Sequence, residues 1–459
     1  MSEVGLALAV ERMRAHGVNP SAMASFSHYY RQLEAGALGT IPEASIDPLG
    51  PLPRLAETRA TDVQRAAAMG VTAVIKLNGG LGTSMGLAGA KTALTVRDGL
   101  TFLDVIVRQV LALRGRYGAP LPLLLMDSFR TQADTAAILE RYPQIRVPHL
   151  PWGFVQSAEP KLRAEDFMPV DWPADPSLEW CPPGHGDLYV AAHETGLVDE
   201  LRRQGYRLAF VSNGDNLGAT CDPDIAAWML ANGVSYVAEV CERTVNDRKG
   251  GHLAVRRSDG RLVLRDSAMV VPGEEGSFGD IRRHTTFHTN NLWIDLDALA
   301  QVLSERGGLL GLPIVVNRKT VDPSDPASTP VIQLETAMGA AIETFEGSRA
   351  VLVPRSRFRP VKTTNELLLI RSDRYTLDET SQIVLTTDSP EPSIDLDEHY
   401  TLVPDFDARF PHGVPSIREC TSLRVSGEVT FGAGVVCRGD VRIHAERPLR
   451  IPDGTVLHG

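Results

Sequence analysis

Three rhythms of apolar and polar residues run along this chain. The first is helical. In "NPSAMASFSHYYRQLEAG" (19–36) an apolar and aromatic face recurs at helical spacing, with Asn19 or Ser21 as caps and Gly36 as a stop. The preceding "MSEVGLALAVERMRAHG" has Glu3 early and no basic stretch ahead of its apolar residues, which predicts an amphipathic helix rather than a signal peptide. Residues 41–55, "IPEASIDPLGPLPRL", hold four prolines and predict an extended connector. The second rhythm begins at residue 71. Short aliphatic runs recur in "VTAVIKL" (71–77), "LPLLLM" (121–126), "YRLAFVSN" (206–213), "VSYVAEV" (234–240) and "AVLVP" (350–354). Helical stretches such as "LTFLDVIVRQVLALRGRYG" (100–118) and "DPDIAAWMLANG" (222–233) lie between them. Buried strands alternating with helices predict an α/β fold, a mostly parallel sheet covered on both faces. Ligands of such sheets sit outside the carboxyl ends of the strands. Glycine- and asparagine-rich runs fall there, directly after "AVIKL" and "LAFVS".

The third rhythm occupies the C-terminus. Leu423, Val429, Val435 and Val441 are spaced six apart, as are Val425, Phe431, Cys437, Ile443 and Leu449, with turn glycines between them. A sixfold period predicts a short parallel β-helix; a small antiparallel meander is the alternative. The open end of so short a coil predicts packing on the main domain or on a second copy of the chain.

Length and composition narrow the class. At 459 residues the chain exceeds one ordinary core, and 43% hydrophobic with 22% charged residues is a globular composition. The net charge of −11 disfavours nucleic-acid or anionic-membrane binding. Five scattered cysteines without C-x-x-C spacing predict neither a disulfide framework nor a zinc site and fit a reducing compartment, the cytoplasm by default. No apolar run reaches transmembrane length.

The glycine-rich stretch "KLNGGLGTSMGLAGAKTAL" (76–94) carries the first candidate chemistry. It is not a Walker A loop, because Met85 and Ala90 stand where that motif needs glycines. It is not a dinucleotide fingerprint either, since Gly80 and Gly82 are followed by Met85 and Gly86 arrives one residue late. What remains is a strand, G-G-x-G-T, and Lys91 beyond it. Taken alone, that pattern fits a phosphate cradle and a tight strand-to-helix turn with a surface lysine equally well.

The loop is accompanied by "CPPGHGDLY" (181–189), "FVSNGDNLGAT" (210–220), "DRKGGHL" (247–253), "FHTNNLW" (287–293), "VIQLETAMGAAI" (331–342) and "VPRSRFRPVKTTNELLL" (353–369). Together, in this order, these blocks resemble the eukaryotic-type UTP–glucose-1-phosphate uridylyltransferases, the UDP-glucose pyrophosphorylases, over roughly residues 70–375. The resemblance implies a Rossmann-like nucleotidyltransferase core at 56–385, after an N-terminal helical segment and connector at 1–55. A C-terminal domain with a short left-handed β-helix would follow at 386–459. It implies a reaction of UTP with glucose 1-phosphate to give UDP-glucose and pyrophosphate, with Mg²⁺ as cofactor and no covalent enzyme intermediate.

The site residues follow from the same resemblance. Leu77, Asn78, Gly79 and Gly80 would meet the nucleoside, Gly82 to Gly86 would wrap the triphosphate, and Lys91 would close on it. Gln156 and Gly184 would face the uracil, the glutamine amide both donating and accepting. His185, Asn213, Gly214, Thr289 and Asn290 would contact the sugar phosphate. Asp215, at a strand's carboxyl end, would touch nucleotide and hold the metal, and Lys362 would act at the reacting phosphate groups. Arg355 and Arg357 are expected to form surface ion pairs rather than phosphate contacts. Two positions depart from the family: His288 replaces a common asparagine, and Gly214 stands where a bulkier apolar residue is frequent. The sugar stays open between glucose, galactose and an N-acetylhexosamine. A bifunctional acyltransferase is disfavoured by the shortness of the C-terminal repeat. A non-catalytic interaction protein is disfavoured by the presence of Lys91, Asp215 and Lys362 together.

Overall fold

The aliphatic runs form one central sheet in a computed structural model that describes residues 2–244 and 247–459. Its strands in chain order are β1 (Thr72–Asn78), β2 (Leu123–Asp127), β3 (Gly153–Val155), β4 (Leu208–Asn213), β5 (Tyr236–Glu242), β6 (Thr286–Asp295) and β7 (Arg349–Leu352). Their spatial order is β7-β5-β6-β4-β1-β2-β3. β6 runs antiparallel to β4 and β5, and the other pairings are parallel. The sheet is therefore mixed. β6 escapes a reading by apolar runs because "HTNN" interrupts it, and β3 because it is so short.

Both faces of the sheet are buried. Val74, Leu125 and Phe210 point into one apolar cluster, and their neighbours Ile75, Leu124 and Val211 into another. That is the two-residue period of a strand with no solvent face. The covering helices begin and end where local chemistry dictates. Helix Phe102–Tyr117 opens on a capping box between Thr101 and Asp104 and closes at the left-handed Gly118. Helix Pro223–Asn232 opens on Asp222, with Pro223 in its first turn.

At the N-terminus, helix Pro20–Glu34 follows helix Ser2–Ala15 and is capped by the Asn19 side chain, which accepts from the Ala22 N–H. Phe26 and Tyr30 pack onto the antiparallel pair Ile314–Thr320 and Pro330–Thr336. The proline-rich connector is extended but not free: Ile46–Pro48 pairs with His252–Arg256, and Ile46 is fully buried.

The C-terminal strands are parallel. Ser393–Leu396, Ser416–Ser426, Val436–His444 and Val456–His458 form one ladder, and Val429–Phe431 pairs with Leu449–Ile451 in another. The parallel pairing rules out the antiparallel meander. Leu423, Val425, Val429, Phe431, Val435, Cys437 and Val441 are buried as the sixfold count predicts. Leu449 is not; it is 41% exposed. The ladder pairs Phe431 with Ile451, so the inward place falls two positions later than the count requires. The coil packs on the main body. One apolar cluster runs from Phe210 and Val351 through Leu367, Tyr375, Tyr400 and Phe406 to Leu423 and Phe431. Among the described residues no helix is long and apolar enough to cross a membrane.

The two leucine-like positions of the last rung should therefore differ in stability cost. Ile451→Ala is expected to lower the unfolding free energy by about 2–4 kcal/mol and Leu449→Ala by less than about 1 kcal/mol, measured by urea denaturation. Equal losses would contradict the assigned register.

Candidate active site

β1 and β4 end side by side, with Leu77 in register with Asn213. The turn after β4 is tied to β1 by the Gly214 N–H, which donates to the Leu77 carbonyl at 2.9 Å. A Cβ on Gly214 would lie 2.7 Å from Thr92 Cγ2 and 2.8 Å from the Leu77 oxygen. The space a bulkier residue would need at this position is occupied here.

The glycine loop leaves β1 and closes on itself. The Lys91 N–H donates to the Gly80 carbonyl at 3.0 Å. The Thr92 hydroxyl donates to the Asn78 side-chain oxygen. The Asn78 amide donates to Asp127 Oδ1 and Thr135 Oγ1, both at 2.6 Å. Buried and fully engaged, the Asn78 side chain clasps the two ends of the loop and is not presented to a ligand. Gly79 faces Gln156: a Cβ there would fall 2.6 Å from Gln156 Nε2. Only glycine lets the Gln156 amide lie against this backbone.

Three charges meet above these strand ends. Lys91 Nζ lies 2.8 Å and Lys362 Nζ 2.7 Å from the same oxygen, Oδ2 of Asp215. Burial opposes ionisation of this carboxyl, but Lys362 and Lys91 outweigh it and hold its pKa below the usual carboxylate range. The Lys91 side chain is 14% exposed and that of Lys362 57%, so Lys91 forms the inner wall of the site and Lys362 its open side. Asp215 Oδ1 is buried and has no hydrogen-bond partner. An orphaned carboxylate oxygen of this kind suits a cation. Among the described residues no group of three or more His, Cys, Asp or Glu converges as a metal cage. A divalent ion here would take its remaining ligands from substrate phosphates and water.

Gly184 and His185 stand across the site on the loop that precedes helix Leu188–Glu194. His185 Nδ1 accepts from the Met338 N–H at 2.9 Å. Burial, with the Lys362 charge adding to it and Asp266 opposing, keeps its pKa below the usual imidazole range. A neutral His185 then carries its proton on Nε2, a hydrogen-bond donor. Thr289 and Asn290 lie in a bulge of β6 opposite Glu239, where the register with β5 shifts. The Thr289 hydroxyl donates to the Glu239 carbonyl at 2.8 Å and is buried, so this side chain shapes the bulge. Asn290 is half-buried with φ 59°, turned out of the strand. His288 fixes that turn: its Nδ1 accepts from the Asn290 N–H at 3.2 Å, and burial draws its pKa down to about 4. His288 is thus a neutral brace for the bulge.

Several structuring residues gave no signal in the sequence. Arg357 is not a surface ion pair. It is buried, and its Nε donates to Glu239 Oε2 at 2.7 Å while Asp222 lies 3.6 Å away. Glu239 also accepts from Trp293 Nε1 and Asn291 Nδ2, so its charge is fully satisfied. Arg355 does pair at the surface, with both oxygens of Asp247. Lys76, buried beneath the site, donates to Ser212 Oγ and the Ala219 carbonyl, and burial draws its pKa to about 7. Asp187 accepts from the Ser157 N–H at 2.6 Å and so joins the Gln156 segment to the Gly184–His185 loop.

A glycine loop, a lysine–aspartate–lysine triad and a neutral histidine near the ends of β1 and β4 have the chemistry to hold an anion. The family model described as UTP–glucose-1-phosphate uridylyltransferase matches residues 23–438. The chain belongs to that family. Curated UTP–glucose-1-phosphate uridylyltransferases are similar throughout. That of Saccharomyces cerevisiae is 42% identical over 84% of this chain and 76% of its own length. The barley (Hordeum vulgare) protein is 43% identical over 84% and 80%. Solved relatives share the architecture of this family member. The crystal structure of UDP-glucose phosphorylase from Trypanosoma brucei is 44% identical with a TM-score of 0.91, covering 99% of this chain and 98% of that one. The UDP-glucose pyrophosphorylase from Leishmania major, solved in open and closed structures, is 42% identical with a TM-score of 0.92 over the same shares.

Asp187 generates a pH-dependent expectation. Burial raises its pKa to about 6, whereas an unfolded aspartate titrates near 3.9. The folded chain thus holds the proton more tightly, and this contribution to stability is lost as pH rises from about 4 through about 6. Asp187→Asn, which keeps an acceptor for Ser157 and cannot ionise, should gain stability over the native chain across that window and keep the gain at neutral pH. Thermal melts of both at pH 4 and pH 7.5 measure the gap; a gap independent of pH would refute the assignment.

Proposed function

We propose that this chain is a UTP–glucose-1-phosphate uridylyltransferase, joining the two substrates into UDP-glucose with release of pyrophosphate. The observation that carries the reading is the convergence of Lys91 and Lys362 on one oxygen of Asp215, beside the glycine loop. Family membership and the solved relative in complex with UDP-glucose support the same reading.

Chemically, two polyanions must meet. The sugar phosphate, with a second pKa near 6, is mostly a dianion at neutral pH and attacks the α-phosphorus in line without a general base. The chain's task is to bring the anions together and neutralise charge that grows in the transition state. Lys91, on the inner wall, lies against the triphosphate that enters over the glycine loop. Lys362, on the open side, meets the α-phosphate and the incoming sugar phosphate, and its compact charge favours the pentacoordinate arrangement over either ground state. Gln156 reads the uracil edge beside Gly79, and His185 donates from Nε2 to the sugar phosphate. Asp215 Oδ1 would hold Mg²⁺, which would add Lewis-acid neutralisation of the phosphates. The C-terminal parallel coil, on this reading, is the family's left-handed β-helix.

Pyrophosphate release with UTP, Mg²⁺ and a panel of sugar 1-phosphates tests the function. Glucose 1-phosphate is expected to give the highest kcat/KM; no release with any sugar from folded protein would overturn the reading. Lys362→Ala is expected to lower kcat by about 10²–10⁴-fold while the melting temperature stays close to native. Turnover close to native in that variant would remove Lys362 from the reaction.

A further inference from the structure

Lys362 reaches Asp215 from a segment with no long regular element of its own, between β7 and the helix Thr364–Arg371. Its backbone is held by the turn that carries Asp215, through a residue with no part in the chemistry described above. Asn216 is 1% exposed. Its Oδ1 accepts from the Arg359 N–H at 2.8 Å and from the Gly218 N–H at 3.2 Å. Its Nδ2 donates to the Arg357 carbonyl at 3.1 Å. Its backbone pairs with Pro360 in an isolated antiparallel bridge. One residue earlier in the turn, the Asp215 carbonyl accepts from the Val361 N–H at 3.1 Å. The two segments touch so closely that a Cβ on Gly218 would lie 2.3 Å from the Ser356 carbonyl oxygen. One amide thus grips the chain at 357 and 359, just before Lys362, while its own neighbour is the carboxylate that Lys362 must face.

We propose that Asn216 is the positioning residue for Lys362: it fixes the catalytic lysine against Asp215 by donating to and accepting from the backbone of the 357–361 segment. Both functions of the amide are used, so neither aspartate nor alanine can replace it. The Arg357–Glu239 pair anchors the same segment through a buried side chain that reaches a carboxylate on β5. Asn216 adds a two-way side-chain tie between the segment and the Asp215 turn, beside the backbone bond from the Val361 N–H to the Asp215 carbonyl. A displacement of about 1 Å at a reacting group can cost about 100-fold in rate, and that is the effect expected here.

The inference rests on the proposed role of Lys362, and a double-mutant cycle on the full chain separates the two. Asn216→Ala should lower kcat about 100-fold and change the KM for UTP less than about 3-fold, because the glycine loop and Gln156 are untouched. Combined with Lys362→Ala, it should be no slower than Lys362→Ala alone, since its effect passes through the lysine. A near-native kcat in Asn216→Ala, or a double mutant in which the two losses multiply, would overturn the positioning role while leaving that of Lys362 intact. Near-native turnover in Lys362→Ala would overturn both. Should Asn216→Ala fail to fold, Asn216→Asp takes its place in the same cycle, since it keeps the acceptor for Arg359 and loses the donor to Arg357.

Discussion

One carboxylate oxygen serving two ammonium groups is the constraint on which this molecule depends. Two lysines this close repel each other, and at an effective dielectric of about 20 a pair of unit charges at about 4 Å interacts by about 4 kcal/mol. Asp215 Oδ2 lies between them and turns that repulsion into two ion pairs. The arrangement stores positive charge at short range without anything bound. Phosphate oxygens can take the place of the carboxylate at either lysine, exchanging one anion for another instead of stripping water from a free ammonium. The surrounding structure serves to keep these three groups in place. Asn78 clasps the loop that carries Lys91, the Leu77–Gly214 contact seats the Asp215 turn, and Arg357 on Glu239 anchors the segment that carries Lys362.

The antiparallel strand β6 gives the site its other wall. A purely parallel sheet would end all its strands in one crevice, with helices following each. Inserting β6 between β5 and β4 brings a strand past the site in the opposite direction, and its bulge at Thr289–Asn291 turns Asn290 outward where the register breaks. Glu239 sits opposite this bulge and binds Arg357, Asn291 and Trp293 at once. The same buried residue therefore supports both the bulge of β6 and the segment that carries Lys362.

How much of this could be read from the sequence depends on the range of the interaction. The central strands β1, β2, β4, β5 and β7 are legible because a strand buried on both faces must be a continuous apolar run, and helix caps are legible because capping is a matter of three or four residues. Lys91 and Asp215 are marked locally, by the glycine loop and by the end of a strand, whereas Lys362 is reachable only through resemblance because nothing local sets it apart from ordinary lysines. β6 is hidden because its polar centre is buried through hydrogen bonds to distant groups, Glu239 above all, which no local pattern shows. The burial of Arg357 was invisible because its partner Glu239 is distant in the chain and neither residue advertises the other. At the C-terminus the sixfold count matches burial at Phe431, Cys437 and Val441 and fails at Leu449, because a periodic count cannot register a step lengthened by two residues.

The wide sequence separation within the lysine pair has a consequence for the birth of the molecule. Lys91 and Asp215 are made before Lys362, which is added 147 residues after Asp215. A nascent chain can form its glycine loop and the inner ion pair long before the second lysine exists. The helix that follows Lys362 shares an apolar cluster with the parallel strands of residues 416–451, which are synthesised after it. The outer lysine is thus secured only after those strands have been made. A ribosome-bound intermediate would hold the inner ion pair without the outer lysine, so the order of synthesis itself keeps the two-lysine arrangement from forming before its supporting strands exist.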